Sequence, residues 1–206
     1  MRFLDRPYND IAAFSDDYFE LITQAAATID REALKRAAKA IIAAYQRDAV
    51  IYSCGNGGSA SIANHLVCDH TKGVGTGTAL RTRVVSLSEN IEIMTAISND
   101  ISYDVVFLHQ LKAKARAGDL LIAISSSGNS ENIVQAIDWC QKHDVETIAL
   151  TGFSGGRGRE QVDIAVHVDC DNYGIVEDLH QAIMHQLAQF IRQAHMDPDQ
   201  ISKSTF

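Results

Sequence analysis

Asp119-Leu120-Leu121-Ile122-Ala123-Ile124 runs directly into Ser125-Ser126-Ser127-Gly128-Asn129-Ser130. After Asp119 comes an apolar run of strand length. The following six positions hold four serines, a glycine and an asparagine, and a helical pattern opens behind them. A strand that feeds such a loop and then a helix offers hydroxyls and the unpaired N–H groups of the first helical turn. Those donors and the helix dipole both favour negative charge. A single Ser or Asn suffices to cap a helix; this excess of hydroxyls points to a phosphate-type ligand.

The same strand-then-helix unit recurs along the chain. Apolar runs at residues 49–53, 83–87, 120–124, 147–150 and 164–168 alternate with helical patterns at 59–72, 91–96, 104–115 and 132–143. Two helical patterns precede them: one over residues 11–29, the other opening behind Asp30 as its cap and carrying Leu34, Ala37, Ala38, Ile41, Ile42 and Tyr45 on one face. A long helix over residues 176–194 closes the chain. Alternation without tandem hairpin signals predicts an α/β fold, with a five-stranded parallel sheet covered by helices on both sides. Crossovers should be right-handed. Residues 73–78, Gly-Val-Gly-Thr-Gly-Thr, read as a flexible loop, and the tail after Asp197-Pro198 as irregular.

At 206 residues the chain is long enough for one domain with a substantial core. A hydrophobic content of 46% and a charged content of 21% are ordinary for a soluble globular protein. The net charge of −8 argues against a nucleic-acid partner, which usually meets a basic face. No apolar run approaches membrane-spanning length, so no membrane partner is expected. Met1-Arg2-Phe3-Leu4-Asp5-Arg6 carries charges where a secretion signal needs an apolar stretch. Cys54, Cys68, Cys140 and Cys170 are scattered and form no CxxC pair. Together these features predict a cytoplasmic protein with reduced thiols.

In open α/β sheets ligands bind at the carboxyl ends of strands. Two polar loops fall there: the serine loop, and Gly55-Asn56-Gly57-Gly58-Ser59 after the first strand. With Ala60 the latter fits the loose dinucleotide pattern G-x-G-x-x-A. That pattern wants an acidic residue about 20 residues on, whereas the first acid beyond the second strand is Glu89, 34 residues from Gly55. No Gly-Lys-Ser/Thr follows, so a Walker A loop is excluded. A tight turn without a ligand remains open for this loop taken alone.

His65 and Asp69 lie four residues apart on the next helical pattern, hence on one face, and both are suitable zinc ligands. Taken alone, such a pair is commonly a surface contact. The last helix carries Glu177, Asp178, His180 and His185. Glu177 and His185 stand about 12 Å apart along the helix axis and roughly 80° apart around it, so they share an ion only if it lies between them. Asp178 and His185 are better aligned. These groups also fit polar residues at a helix surface or subunit contact.

Gly55-Asn56-Gly57-Gly58-Ser59, Asn99-Asp100 and Ile124-Ser125-Ser126-Ser127-Gly128-Asn129-Ser130, in this order, resemble the SIS (sugar isomerase) domain family, and within it the phosphoheptose isomerase branch. The likeness spans most of the chain. It implies a single domain over residues 1–206, with an N-terminal helical segment at about 8–47 packing on it or on a partner subunit. It also implies a homotetramer and a divalent metal cofactor, zinc. In this branch the helix after the glycine loop carries His and, four residues on, Glu; the last helix carries Gln and, eight residues on, His. Carried onto this chain, the metal ligands are His65, Asp69, Glu177 and His185. Asp69 and His185 are the implied catalytic pair. Asp69 thus replaces a Glu and reaches one methylene less far; Glu177 replaces a neutral Gln. Gly73 stands where the branch has an Arg, with Lys72 beside it on another side of the helix.

The implied reaction is a 1,2 carbonyl shift from ketose to aldose phosphate, with D-sedoheptulose 7-phosphate giving D-glycero-D-manno-heptose 7-phosphate through an enediol. Asp69 is the expected base and His185 the expected acid. Ser59, Ser125, Ser126, Ser127 and Ser130 are expected to grip the phosphate, and Asn56, Gly57, Gly58, Asn99, Asp100 and Glu177 to line the sugar site. Two alternatives stay open: a non-catalytic SIS regulator that binds a sugar phosphate or a protein such as a replication initiator, and an isomerase of a different sugar phosphate.

Overall fold

The structure is a computed structural model that describes residues 6–205. The expected absence of a secretion signal rests on residues 1–6, of which 1–5 lie outside the described residues. Two helices open the fold, α1 (Ile11–Ala27) and α2 (Arg31–Gln46). Asp10 caps α1 by accepting from the N–H groups of Ala12 and Ala13, and Asp30 caps α2 through Glu32 N–H. Ala33, Ala37, Ala40, Ile41 and Ala44 form the buried stripe of α2, and its small side chains let the helix lie close on its neighbours.

The units that follow are β1 (Ile51–Gly55), α3 (Gly58–Cys68), β2 (Val84–Ser86), α4 (Ile91–Asp100), α5 (Val106–Lys114), β3 (Leu120–Ser125), α6 (Glu131–Gln141), β4 (Glu146–Thr151), α7 (Gly156–Gln161), β5 (Ile164–His167), α8 (Tyr173–His195) and α9 (Pro198–Ile201). All five strands are parallel, in the order β2-β1-β3-β4-β5. Alternate strand residues serve opposite faces, as a period of two requires. Leu120, Ile122 and Ile124 join α1, α2, α3 and α8 in one core, while Leu121 and Ala123 join α4, α5 and α6 in the other. The N-terminal helices contribute Leu21, Ala25 and Ile41 to the first of these cores.

This topology sets the place of a ligand. The chain turns from β1 outward to β2 in one direction and to β3 in the other, so the neighbours β1 and β3 form the switch point of the sheet. The glycine loop leaves the carboxyl end of β1 and the serine loop that of β3. Gly55 pairs with Ile124 in register, so the two loops start side by side.

Several expectations need correction. Residues 73–78 are not a loop throughout: α3 runs without a break into a π-helical turn, Asp69–Val74, that buries Gly73 and Val74. The wider i→i+5 turn also buries Asp69 and His70 together, and Tyr45 on α2 holds the ring of His70. Helix α4 continues past residue 96 to Asp100. The tail contains α9, which Asp197 caps and Pro198 opens. Helix α7 has no counterpart in the apolar pattern, because Gly156-Arg157-Gly158-Arg159 has no apolar face. Among the described residues no helix is long and apolar enough to cross a membrane. All four cysteines are free, with only Cys68 exposed.

Candidate functional site

The serine loop forms from the end of β3 upward. Ser125 and Ser126 are buried, and Gly128 N–H donates to Ser125 Oγ at 3.1 Å. Gly128 has φ +66°, and a side chain there would strike the carbonyl of Gly155, so a glycine is needed where the loop crosses the start of α7. Ser130 holds the N-cap position of α6, yet its side chain makes no capping bond. The simple capping account of this loop therefore fails at the residue that should carry it. Ser126 Oγ is buried and has no hydrogen-bond partner. A buried hydroxyl left unsatisfied costs free energy unless a ligand or water meets it. Ser125, Ser126, Ser127 and Ser130 line a cavity of about 120 Å³ together with Asn56, Ser59, Ile124, Tyr173 and Glu177.

The glycine loop supplies the facing wall. Ser59 is buried in the first turn of α3. Asn56 exchanges hydrogen bonds with Asn132 on α6 at 2.9 and 3.0 Å, and Tyr103 OH donates to Asn56 Oδ1 at 2.7 Å. This mutual amide pair ties the two loops together. Gly58 leaves the space that Glu177 fills: a β-carbon at Gly58 would collide with the Glu177 carboxylate. Burial, and then the nearby charge of Asp178, raise the pKa of Glu177 above the usual carboxylate value.

Farther along the same two helices lies a second cluster. His65 on α3, Asp69 at the start of the π turn and His185 on α8 bring their ligand atoms within 4.8 Å of one another. His65 Nε2 is 3.2 Å from Asp69 Oδ1, and His185 Nε2 is 3.3 Å from Asp69 Oδ2. The rings stand edge to face with centroids 5.2 Å apart. Asp69 is only 8% exposed and its Oδ2 accepts no hydrogen bond. Ligand atoms around a tetrahedral zinc with bonds of ~2.0–2.1 Å stand about 3.3–3.4 Å apart. The donor set, its spacing and the orphaned carboxylate oxygen fit a divalent metal ion.

Not every expected residue joins these clusters. Glu177 is outside the group of three and lines the serine cavity instead, which agrees with its angular offset from His185 on the helix. Asp178 accepts from Tyr18 OH of α1 at 2.7 Å. His180 is fully buried, and burial lowers its pKa to about 4, so it is neutral and belongs to the core. Asn99 and Asp100 hydrogen-bond to each other at 2.7 Å on the exposed last turn of α4, outside the cavity lining. Lys72 is exposed and Gly73 buried. Sequence reasoning passed over Asn132, Tyr103 and Tyr173. It also passed over Gln181, whose Nε2 lies 2.8 Å from His185 Nε2 and 3.3 Å from His65 Nδ1. Its one legible signal is position, a single turn before His185.

Residues 13–152 match the model of the SIS domain family. A protein of Mycobacterium tuberculosis named phosphoheptose isomerase is 33% identical over 191 residues, covering 89% of this chain and 95% of that protein. One from Thermoplasma volcanium named probable phosphoheptose isomerase is 33% identical over 175 residues, covering 85% and 89%. The solved structure of a phosphoheptose isomerase from Neisseria gonorrhoeae superposes with a TM-score of 0.80 at 32% identity, covering 88% of this chain and 96% of the other. Glu177, Gln181 and His185 lie beyond the family match, on α8.

Proposed function

The chain belongs to the SIS domain family, and we propose that it is an aldose–ketose isomerase of sugar phosphates, converting D-sedoheptulose 7-phosphate to D-glycero-D-manno-heptose 7-phosphate. The observation that carries this reading is the pairing of two incomplete sites on α3 and α8. At one end the buried Ser126 hydroxyl has no hydrogen-bond partner; at the other the buried Asp69 Oδ2 accepts no hydrogen bond, with His185 Nε2 3.3 Å away. Glu177, which lines the first site, and His185, which belongs to the second, stand about 12 Å apart along the axis of α8. An extended seven-carbon sugar phosphate has a comparable length.

The serine loop receives the phosphate. Its hydroxyls and the free N–H groups at the start of α6 hold a dianion without a lysine or arginine among the lining residues. Asn56, Gly57, Gly58, Ser59 and Glu177 face the sugar hydroxyls. Asp69 takes the proton from the carbon next to the carbonyl, which leaves an enediol. His185 gives a proton to the carbonyl oxygen and takes one from the neighbouring hydroxyl, while Asp69 returns its proton to the former carbonyl carbon, so the carbonyl moves by one carbon and protons balance. His65, Asp69 and His185 would hold a divalent ion, which we take to be zinc, and when bound it polarises the carbonyl. Burial keeps bulk water away from Asp69 and strengthens its interaction with the two histidines.

The chain is further read as a single domain over residues 1–206, acting in the cytoplasm as a homotetramer. Exposed Ile11, Phe19 and Phe190 on α1 and α8 supply apolar surface for subunit contacts. In the tetramer, Asn99 and Asp100 are free to meet a neighbouring sugar site. The test is turnover: purified protein with sedoheptulose 7-phosphate should yield an aldose phosphate, and substitution of Asp69 should abolish it.

A further inference from the structure

We infer that Gln181, and not Glu177, is the fourth ligand of the divalent ion held by His65, Asp69 and His185, leaving Glu177 to the sugar. This rests on the metal-dependent isomerase reading above. Three observations on α8 support it. The side-chain amide of Gln181 already stands between the two histidines, 2.8 Å from His185 Nε2 and 3.3 Å from His65 Nδ1. His65 Nε2 and His185 Nε2 stand 3.2 and 3.3 Å from Asp69, so all four separations lie at or just below the about 3.3–3.4 Å between ligand atoms of a tetrahedral site, with Gln181 meeting His65 on its Nδ1 side. Glu177, by contrast, lies outside the group of three, presses on Gly58 and lines the cavity of Ser126.

Helix geometry explains the division. Gln181 precedes His185 by one turn and shares its face. Glu177 is two turns away and rotated roughly 80° from His185. In the structure the amide N–H of Gln181 donates to the ring nitrogens; rotation about its last side-chain bond brings the oxygen, a neutral hard donor, to the same place. The resulting set, two imidazoles, one carboxylate and one amide, leaves a divalent ion with a net positive charge. A second carboxylate would cancel that charge and weaken its pull on a carbonyl. A Glu at 177 is thus compatible with a working metal site, because the amide has moved to another position on the same helix.

The test is calorimetric titration of Zn²⁺ into the chelator-stripped full chain, compared with Gln181→Leu, Gln181→Glu and Glu177→Gln, with folding of each checked by circular dichroism. The wild-type chain should bind one ion, and Gln181→Leu should bind it at least about 10-fold more weakly. Binding should be kept in Gln181→Glu, whose carboxylate can still ligate, with affinity within about threefold of wild type in Glu177→Gln. Wild-type affinity in Gln181→Leu, or loss of the ion in Glu177→Gln, overturns the ligand assignment. If the wild type binds no Zn²⁺ yet isomerises the sugar phosphate, the inference falls and the isomerase reading stands. If it binds Zn²⁺ through Gln181 without turning over the substrate, the ligand assignment holds and the isomerase reading falls.

Discussion

Asp69 and His185 meet across the packing of α3 on α8, with His185 Nε2 3.3 Å from an Asp69 oxygen that is buried and accepts no hydrogen bond. A buried carboxylate without full hydrogen-bond support weakens a fold. On the proposed function it is kept for chemistry, as the base. Asp69→Asn should therefore lower kcat by about 10²–10⁴-fold, the usual worth of a positioned acid or base. It should leave the melting temperature unchanged or raised. Steady-state kinetics beside thermal unfolding checks this. Lost stability together with lost activity would mean that Asp69 is structural.

Ser126→Ala removes a hydroxyl that makes no hydrogen bond in the free protein. Stability should stay within about 0.5 kcal/mol of wild type. A hydrogen bond to a charged group is worth about 1.5–3 kcal/mol, so kcat/KM for the sugar phosphate should fall roughly 10- to 150-fold. A dephosphorylated ketose should show no such difference between the two proteins.

Gly58 and Glu177 should behave as a coupled pair. A methyl at Gly58 meets the Glu177 carboxylate, the free end of a flexible side chain, so Gly58→Ala should cost no more than about 1 kcal/mol in urea unfolding as the carboxylate swings aside. In a Glu177→Ala background most of that cost should vanish, giving a clear coupling term in a double-mutant cycle. Additive effects would show that the carboxylate does not occupy this space.

Tyr18 binds α1 to α8 through Asp178, and burial followed by the Asp178 carboxylate raises its pKa to about 12. Its unfolded value lies near 10. The folded pKa is raised, so this contribution is present in full below pH ~10 and is lost as pH rises toward ~12. Tyr18→Phe should be less stable at pH 8 and should show a shallower decline between pH 10 and 12. Chemical unfolding across that range measures it.

Much of the fold was legible because buried parallel strands are written as uninterrupted apolar runs. Leu120 to Ile124 needed no partner to be recognised, and the two loops at the switch point followed from the order of runs. What escaped detection depended on contacts distant in sequence. Asn132 lies 76 residues from the Asn56 it holds, and neither residue type signals the other. The π turn at Asp69–Val74 leaves no mark in apolar periodicity, since it replaces one helical hydrogen-bond pattern by another. Gln181 looks like any uncharged residue on a helix until α3 packs against it. Glu177 and His185 were grouped by resemblance, whereas the angular spacing on α8 already argued for separating them. The approach of Asp69 to His65 is written in their four-residue spacing, whereas its approach to His185 follows only from the folded arrangement of α3 and α8.

The most direct test of the account is turnover of D-sedoheptulose 7-phosphate by the purified chain, measured before chelation, after chelation and after Zn²⁺ is restored, with the product identified by NMR. The account predicts an aldose 7-phosphate, loss of its formation with chelator, and recovery with the metal. No conversion by the metal-loaded protein would contradict it, and so would full conversion after complete removal of the metal.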